Sequence, residues 1–537
     1  MEIASSISMC SQKLEPFQHI DTSEDDDDTN WLLVRTSQLL LVADSPQPVV
    51  EPPKPRTTIN SLPNELLDVI FKITHADWLL FTLHPELYSS QPSTLRKRSW
   101  KGLMKLFCQF PYTPAAVCRR WRNIVHDTAR FWTRPVVFVD SRDPLASLSN
   151  LKNFIQRSKG HPLILAVVRK DYNVVQDLQE GMNVSLFMDV ILANLNRFND
   201  IYFHLHHSSS LPSIAQFRYQ PPFQPNLARL ALHCDEDDGP NHDTTIPKFL
   251  VATHWPPSLV TLKIDGRNFG TIAKEPYTWS LVLSHLKTLS IERLDQPAHS
   301  THEPLSLLES LEFLARLPEL EVLTIRDVAF ETSTRVPGTA PIVINVTDLI
   351  LEDLSADVAK HMFDLAIFNP TYLLLRNIPI DALPHVPQPI FLELSEIPID
   401  QDIEDFLCFW DGEVLALRDC PGFNDAILAL FAEEVSPPYH ICPSLRELHV
   451  QNCSNFSGRG LRRMAEIRMD FASRRENESL NLSHISDIFV SGMGPILAPE
   501  DALWMRTHLK TFVWSTVQPS GGSCHLDPSA VVPFTIP

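Results

Sequence analysis

Two segments near the amino terminus carry apolar residues at the spacing of amphipathic helices. In the first, residues 62–73, Pro63 and Glu65 stand where a first helical turn tolerates a missing N–H and favours negative charge. In the second, residues 117–125, arginines point away from an apolar face that contains a tryptophan. Both segments are predicted helices whose apolar faces suit a partner. Those faces comprise Leu62, Leu66, Val69, Ile70 and Ile73, and then Val117, Trp121, Ile124 and Val125.

From Val136 onward the pattern changes to a recurring L-x-x-L-x-L/I motif. Its last two apolar positions are two residues apart, so they point to the same side of a short strand. One repeat cannot bury that side, so stacked copies predict a parallel sheet with returning helices, such as 305–317 and 402–410. Strong copies begin at Leu227, Leu259, Leu286, Leu320, Val346 and Leu445, and weaker ones include Phe198, Leu373, Leu392, Leu415, Ile485 and Leu509.

The two helical segments read LPNELLDVIF and VCRRWRNIV, and Phe131-Trp132 follows the second. These residues resemble an F-box, and the whole chain resembles the F-box proteins with leucine-rich repeats that are common in mushroom-forming fungi. The two halves are separated by an insertion at about 74–113, which departs from the usual continuous module. The resemblance implies an α/β fold: a short helical F-box, then an irregular leucine-rich-repeat solenoid with parallel strands on its concave face and helices or loops on its convex face.

The same resemblance implies a function without catalysis by this chain. An F-box binds a Skp-type adaptor and through it a cullin scaffold, so the chain would be the substrate receptor of a ubiquitin ligase. The residues expected to bind the adaptor are Leu62, Pro63, Leu66, Ile70, Val117 and Trp121. The alternative is a leucine-rich-repeat scaffold that is not coupled to ubiquitination.

The outward strand positions of the repeats would face an unidentified protein substrate. Arginine and aromatic residues are frequent at binding hot spots, and an apolar centre with a charged rim suits protein recognition. The predicted substrate-binding residues are Arg326, Leu374, Arg376, Phe391 and Arg418. A solvated sheet face with slight misregistration is the competing interpretation.

Composition narrows the classes of partner. The chain has 65 acidic and 45 basic residues, a net charge of −20, which disfavours nucleic acids and anionic membranes. Its nine scattered cysteines form no C-x-x-C pair, and no apolar run reaches the roughly 20 residues that span a bilayer. We therefore expect reduced thiols, no membrane segment and a cytoplasmic or nuclear location.

No catalytic motif supports an enzyme, because G-x-S-x-G, Walker-type and H-E-x-x-H sequences are absent. A hydrolase with an unrecognised site is the weakest alternative, and no cofactor is expected. His204 and His206, beside His207, could form a metal pair, but the sequence offers no third ligand at a fixed spacing. A surface histidine cluster is favoured, and no metal site is predicted. The acidic run 235–238 is likewise predicted to be a solvated loop.

These patterns divide the chain into four parts. Residues 1–58 form an acidic and proline-rich leader predicted to be disordered, and 59–134 form the F-box with its insertion. Residues 135–516 form the repeat array, and 517–537 form a frayed tail. Within the insertion, the basic stretch 95–107 is favoured as a helix packed on the F-box, with nuclear import or an acidic partner as alternatives.

Overall fold

The chain divides into two compact units, Met1–Pro63 and Asn64–Pro537. In the first unit, the described part is a short 3-10 turn at Ile59–Ser61 followed by Leu62 and Pro63. The predicted leader, the basic stretch 95–107 and all but the first residue of the predicted tail lie outside the described residues. The structure, a computed structural model, describes residues 59–83, 110–140, 143–169, 179–217, 226–238, 256–295, 304–332, 340–383, 387–432, 434–436, 439–473 and 482–517.

The second unit is an α/β structure that begins with helices and continues as strands alternating with helices. Its described helices are α1 Asn64–Leu83, α2 Tyr112–Val117, α3 Arg119–Asp127, α4 Pro144–Arg157, α5 Glu180–Ala193, α6 Gly266–Ala273, α7 Pro276–Val282, α8 Leu307–Leu314, α9 Ala356–Leu365, α10 Ile403–Leu407, α11 Asp425–Ala432, α12 Gly458–Ser473 and α13 Pro499–His508.

Fourteen strands of the described residues form one parallel sheet. They follow the order of the chain: β1 Val136–Phe138, β2 Leu163–Val168, β3 Phe198–His207, β4 Arg229–Glu236, β5 Thr261–Asp265, β6 Thr288–Leu294, β7 Val322–Val328, β9 Asp348–Glu352, β11 Tyr372–Arg376, β12 Phe391–Ser395, β13 Val414–Arg418, β16 Glu447–Gln451, β17 Asp487–Met493 and β18 Thr511–Val517. Two small pairs lie apart from it, β8 Ile342–Ile344 with β10 Ala366–Phe368, and β14 Glu434–Ser436 with β15 Tyr439–His440.

The register of the sheet aligns the apolar motif from strand to strand. Leu373 of β11 lies beside Leu349 of β9 and Leu392 of β12, and Leu375 is aligned in the same way. These inward leucines are fully buried and belong to one continuous core. All twelve predicted copies of the motif are strands, and the arrangement is compatible with a solenoid. The strand β2 has no full motif and was not predicted.

A residue with left-handed backbone conformation follows the outward fifth residue of most middle strands. The φ angles of Asp353, Asn377, Glu396, Asp419 and Asn452 lie between 47° and 56°. Each of these five residues donates its N–H to the carbonyl of the next strand's fifth residue, at 2.8–3.1 Å. The chain leaves these five strands through this turn, and the hydrogen bond extends the ladder by one residue. Aspartate and asparagine are frequent there because their short polar side chains tolerate this conformation best.

Helix α12 is tied to the repeats by one buried arginine. Arg468 is fully buried, and its guanidinium donates to five backbone carbonyls at 3.0–3.3 Å. Burial lowers the pKa of this guanidinium to about 10. Four of the carbonyls lie in loops and one at the end of α11, so the guanidinium joins separate segments through their buried acceptors. They are those of Phe431, Cys442, Pro443, Leu445 and Ser483.

The left-handed turn predicts a clear difference between two substitutions of Asp419. Valine is β-branched, so Asp419→Val should lower the free energy of unfolding by about 1–2 kcal/mol. Asparagine tolerates the conformation, so Asp419→Asn should change it by only about a few tenths of that amount. Chemical denaturation of both variants measures the difference. Equal stability of the two would show that the backbone angle at this position carries no cost.

A second prediction concerns the buried arginine. Arg468→Met removes one donor from each of five carbonyls, two of which keep a backbone N–H as a second donor, and should destabilise the protein by about 3 kcal/mol or more. Arg463→Met, on the same helix but exposed, is the matched control and should be near neutral. Thermal unfolding of the two variants tests this. The role assigned to the Arg468 hydrogen bonds is rejected if both shift the midpoint equally.

Candidate functional site

The helices that precede the sheet enclose a small aromatic interior. We call α1, α2, α3 and the 3-10 turn Ala129–Trp132 the helical module. The inward stripe of α1 contains Leu67, Phe71 and His75, each four residues from the last and all buried. The ring of Phe71 lies 6.5 Å from that of Phe131, and His75 lies 5.5 Å from the same ring. The module thus has its own closed interior.

The opposite side of α1 remains apolar and exposed. Leu66, Val69, Ile70 and Ile73 have between 36% and 56% of their surface accessible. They recur at the helical spacing that places them along one stripe, on the side of the helix away from the buried one. A helix that buries one apolar stripe and leaves a second uncovered is typical of a surface that binds another protein. We call Leu66, Val69, Ile70 and Ile73 the outer stripe.

The second predicted helix differs from the sequence-based expectation. Val117 ends α2, and α3 starts only at Arg119, because Cys118 is extended and its sulfur accepts the N–H of Trp121 at 3.5 Å. Val117 is 55% exposed and is available to a partner. The predicted first segment also extends further than expected, since α1 continues to Leu83 within the assumed insertion.

Trp121 contributes to the interior as well as to the surface. It is half-buried, and its ring packs edge-to-face on Phe71 with 4.9 Å between centroids. Arg122, on the same helix, donates to the carbonyl of Ala115 at 3.0 Å and so fixes α3 against α2. Trp121 therefore has a structural role in addition to the binding role predicted for it. In the separate first unit, Leu62 is half-buried and Pro63 exposed.

The outward face of the sheet carries paired charges. This outer face is formed by the first, third and fifth residues of the middle strands. The guanidinium of Arg326 lies 3.4 Å from the carboxylate of Glu352, and that of Arg376 lies 3.1 Å from its other oxygen. Arg418 lies 3.3 Å from Glu393, which also accepts the hydroxyl of Tyr372 at 2.8 Å. Most of this charge is thus neutralised within the sheet.

Two of the predicted substrate-binding residues are not exposed. Leu374 retains 7% of its surface and Arg376 only 4%, so the expectation that both are exposed on the outer face is wrong. Leu374 is flanked by Ile350 and Glu393 on the neighbouring strands. Parallel strands are about 4.8 Å apart, so long side chains on both sides cover a leucine between them. Arg326 and Arg418 keep about a fifth of their side chains accessible, at 21% and 18%.

Aromatic rings form a row across the same face. The ring of Phe391 is half-buried and lies 5.0 Å from Tyr372 and 6.4 Å from His449. His449 in turn stacks on Phe489, with 4.5 Å between centroids and 5° between planes. We call Tyr372, Phe391, His449 and Phe489 the aromatic row. Phe391 was predicted from the sequence, but Tyr372, His449 and Phe489 were not. These residues are adjacent only because the register of the sheet aligns their separate strands.

Histidines of the neighbouring strands β3 and β4 also have partners that the sequence did not reveal. His204 lies 3.2 Å from Asp235, and His233 lies 3.0 Å from Glu292. The pKa of Asp235, which burial alone would raise, is lowered to about 2 by the hydrogen bond and charge of His204 and by His233 and His206. Asp235, the first residue of the acidic run that was predicted to be solvated, is therefore paired with a histidine.

No helix of the described residues is long and apolar enough to cross a membrane. No protein-family model matches the chain, and the curated proteins also give no match. The inference of function therefore depends on the geometry of the module and of the sheet.

The buried histidine of the module predicts a dependence of stability on pH. Burial, with Arg134 and Arg130 nearby, lowers the pKa of His75 from 6.5 to about 4. Between these values the unfolded chain binds the proton and the folded chain does not, so His75 lowers stability as the pH falls from 6.5 to about 4. The melting temperature of His75→Phe should fall less than that of the native protein as the pH is lowered over this range. Parallel profiles of melting temperature against pH would contradict the prediction.

Proposed function

We propose that the chain is a non-catalytic substrate receptor of a Skp/cullin/F-box ubiquitin ligase, acting in the cytoplasm or nucleus. The helical module is the F-box and binds a Skp-type adaptor. The parallel sheet is an irregular leucine-rich-repeat array that holds a protein substrate. The observation that carries the proposal is the outer stripe, an exposed apolar surface on a helix whose opposite stripe already fills a closed interior.

The packing of helices within the module supports binding of an adaptor in a fixed geometry. Asn64 at the start of α1 accepts a 2.7 Å hydrogen bond from Arg120 of α3, so the helices are joined at the surface as well as in the interior. Because the aromatic interior is closed without Leu66 and Ile70, these two residues are free to bury their area against a partner. Such a preformed surface lowers the ordering cost of binding. Val117 supplies a further exposed apolar contact.

The sheet supports recognition of a protein. The aromatic row provides rigid apolar area, and Arg326 and Arg418 border it with partly accessible charge. This combination of aromatic anchors and a charged rim is typical of binding hot spots. Because Leu374 and Arg376 are buried, we transfer the centre of the proposed substrate surface to Phe391 and its aromatic neighbours.

Adaptor binding gives the sharpest test. The native chain should bind a purified Skp-type adaptor, and Leu66→Ala/Ile70→Ala should weaken binding at least about tenfold, because each truncation at the centre of an interface costs about 1 kcal/mol or more. Calorimetric or surface-based titration measures the affinity. Circular dichroism of the variant verifies that the helices are intact.

The matched control substitutes exposed leucines on other helices. Leu281→Ala/Leu503→Ala removes side chains that are 78% and 68% exposed and should leave the affinity unchanged. If the native chain does not bind the adaptor, the ligase proposal fails and a scaffold that is not coupled to ubiquitination remains. If binding is intact in Leu66→Ala/Ile70→Ala, the interface has been assigned to the wrong residues.

A further inference from the structure

Two adjacent histidines are held rigidly where β3 ends. The backbone N–H groups of His206 and His207 donate to the two carboxylate oxygens of Glu180, at 3.0 and 3.2 Å. Glu180 is fully buried, and its carboxylate lies 3.8 Å from the equally buried guanidinium of Arg169. A buried carboxylate that accepts hydrogen bonds from two consecutive amides fixes the backbone from which both side chains extend. The backbone at this site is therefore preorganised before any ligand arrives.

The rings of these histidines contain nitrogens without a hydrogen bond in the described part of the chain. Nε2 of His206 and Nδ1 of His207 are both shielded from solvent and lack a hydrogen-bond partner there. Burying a polar atom without a partner costs about 1–3 kcal/mol. The two ring centroids are 4.4 Å apart, and one nitrogen of each ring lies within 4.8 Å of a nitrogen of the other. Such a pair of nitrogens indicates a ligand that accepts electron pairs from both.

Carboxylates surround the same point. Glu236, from the neighbouring strand β4, has an oxygen 3.6 Å from Nε2 of His206. One ligand atom each from His206, His207 and Glu236 lies within 4.8 Å of the others. Asp238 lies 3.6 Å from Nδ1 of His207 and is oriented by a 2.9 Å hydrogen bond from the backbone N–H of Ser209. Asp235 lies 3.9 Å from the other nitrogen of His206, which is beyond hydrogen-bond distance but adds negative charge near this ring.

We propose that His206, His207 and Glu236 bind a divalent transition metal ion of the zinc type. Two imidazoles with one carboxylate favour zinc, copper or nickel, whereas calcium and magnesium prefer oxygen ligands alone. Bonds of about 2.1 Å place the ligand atoms of a tetrahedral zinc site about 3.4 Å apart, so the three groups must approach by roughly 1 Å. Glu236 can make this movement because 59% of its side chain is exposed. The bound ion joins the end of β3 to the end of β4.

A neighbouring trio also combines two histidines with one carboxylate, but its side chains are already paired. His204, His233 and Asp235 also place ligand atoms within 4.8 Å of one another. Their groups are already engaged, since His204 lies 3.2 Å from Asp235 and His233 lies 3.0 Å from Glu292. A metal would have to replace these interactions. We therefore assign the metal to His206 and His207, with His204 orienting Asp235 behind them.

Titration of the chelator-treated full chain with zinc chloride tests the assignment. Calorimetry should show a site with a dissociation constant in the micromolar range or tighter, and His206→Gln/His207→Gln should lose that site, with affinity reduced at least about a hundredfold. Glu236→Gln, at an exposed position, should weaken it about tenfold without affecting the fold. Zinc should also raise the melting temperature of the native chain and not that of the double variant.

His285→Gln is the matched control. His285 is exposed and lies 3.2 Å from Glu319, so it reproduces a histidine–carboxylate pair without the convergence of a second ring. Its substitution should leave zinc binding unchanged. The proposal is overturned if the native chain binds no zinc, if His206→Gln/His207→Gln binds it as tightly as the native chain, or if only His233→Gln abolishes the site. A site that prefers magnesium to zinc would equally contradict the assigned chemistry.

Discussion

The stacking of parallel strands in one register is the constraint on which the rest of the structure depends. Each strand directs two apolar residues inward, and each can bury them only if its neighbours are aligned residue for residue. The left-handed residue that follows keeps this alignment, because its N–H bonds to the carbonyl of the next strand. A slip of one residue would turn every leucine outward. The outer face can therefore vary in sequence while the inner positions cannot.

This constraint also decides which side chains meet on the outer face. Residues far apart in the chain, such as Phe391 and His449, are neighbours because their strands occupy nearby places in the stack. The same rule brings His206 of β3 to Glu236 of β4. The proposed binding surface and the proposed metal site thus share one origin. Both combine residues of different strands: the aromatic row takes one residue from each of four strands, and the proposed metal site takes an adjacent pair from β3 and one residue from β4.

The sequence predicted the inner positions well, because leucine spacing reports burial directly. All twelve strand motifs are strands, and the returning helices at 305–317 and 402–410 occur as α8 and α10. The outer positions were harder to predict. Leu374 was expected to be exposed because strand alternation places it outward, but alternation alone does not account for cover by the side chains of adjacent strands. The proximity of Glu236 to His206 and His207 was not predicted, because a third ligand was sought at a fixed spacing along the chain and Glu236 lies on the neighbouring strand.

The turn after each strand was also missed in the sequence. A buried apolar residue follows the left-handed position in successive repeats, as at Ile378, Ile397, Cys420 and Cys453. Isoleucine occupies the position in two of these repeats and cysteine in the other two, so the spacing of leucines alone does not reveal it. The sulfur of Cys420 donates to the carbonyl of Leu394 at 3.4 Å, which explains why a small residue with a weak donor fits. In the helical module, the limits of α2 and α3 depended on the cap at Cys118, which has an unusual sulfur acceptor.

The junction between the helical module and the sheet has a mechanical consequence. Trp132 packs on Phe154 of α4 with 5.2 Å between ring centroids, and the intervening Arg134 and Pro135 are buried before β1 begins at Val136. No exposed linker residue separates the two parts, so the module cannot swing independently of the strands. Fourteen strands at about 4.8 Å spacing extend roughly 60 Å along the stack. The number of strands that separate a site on the sheet from the helical module then sets the distance between them.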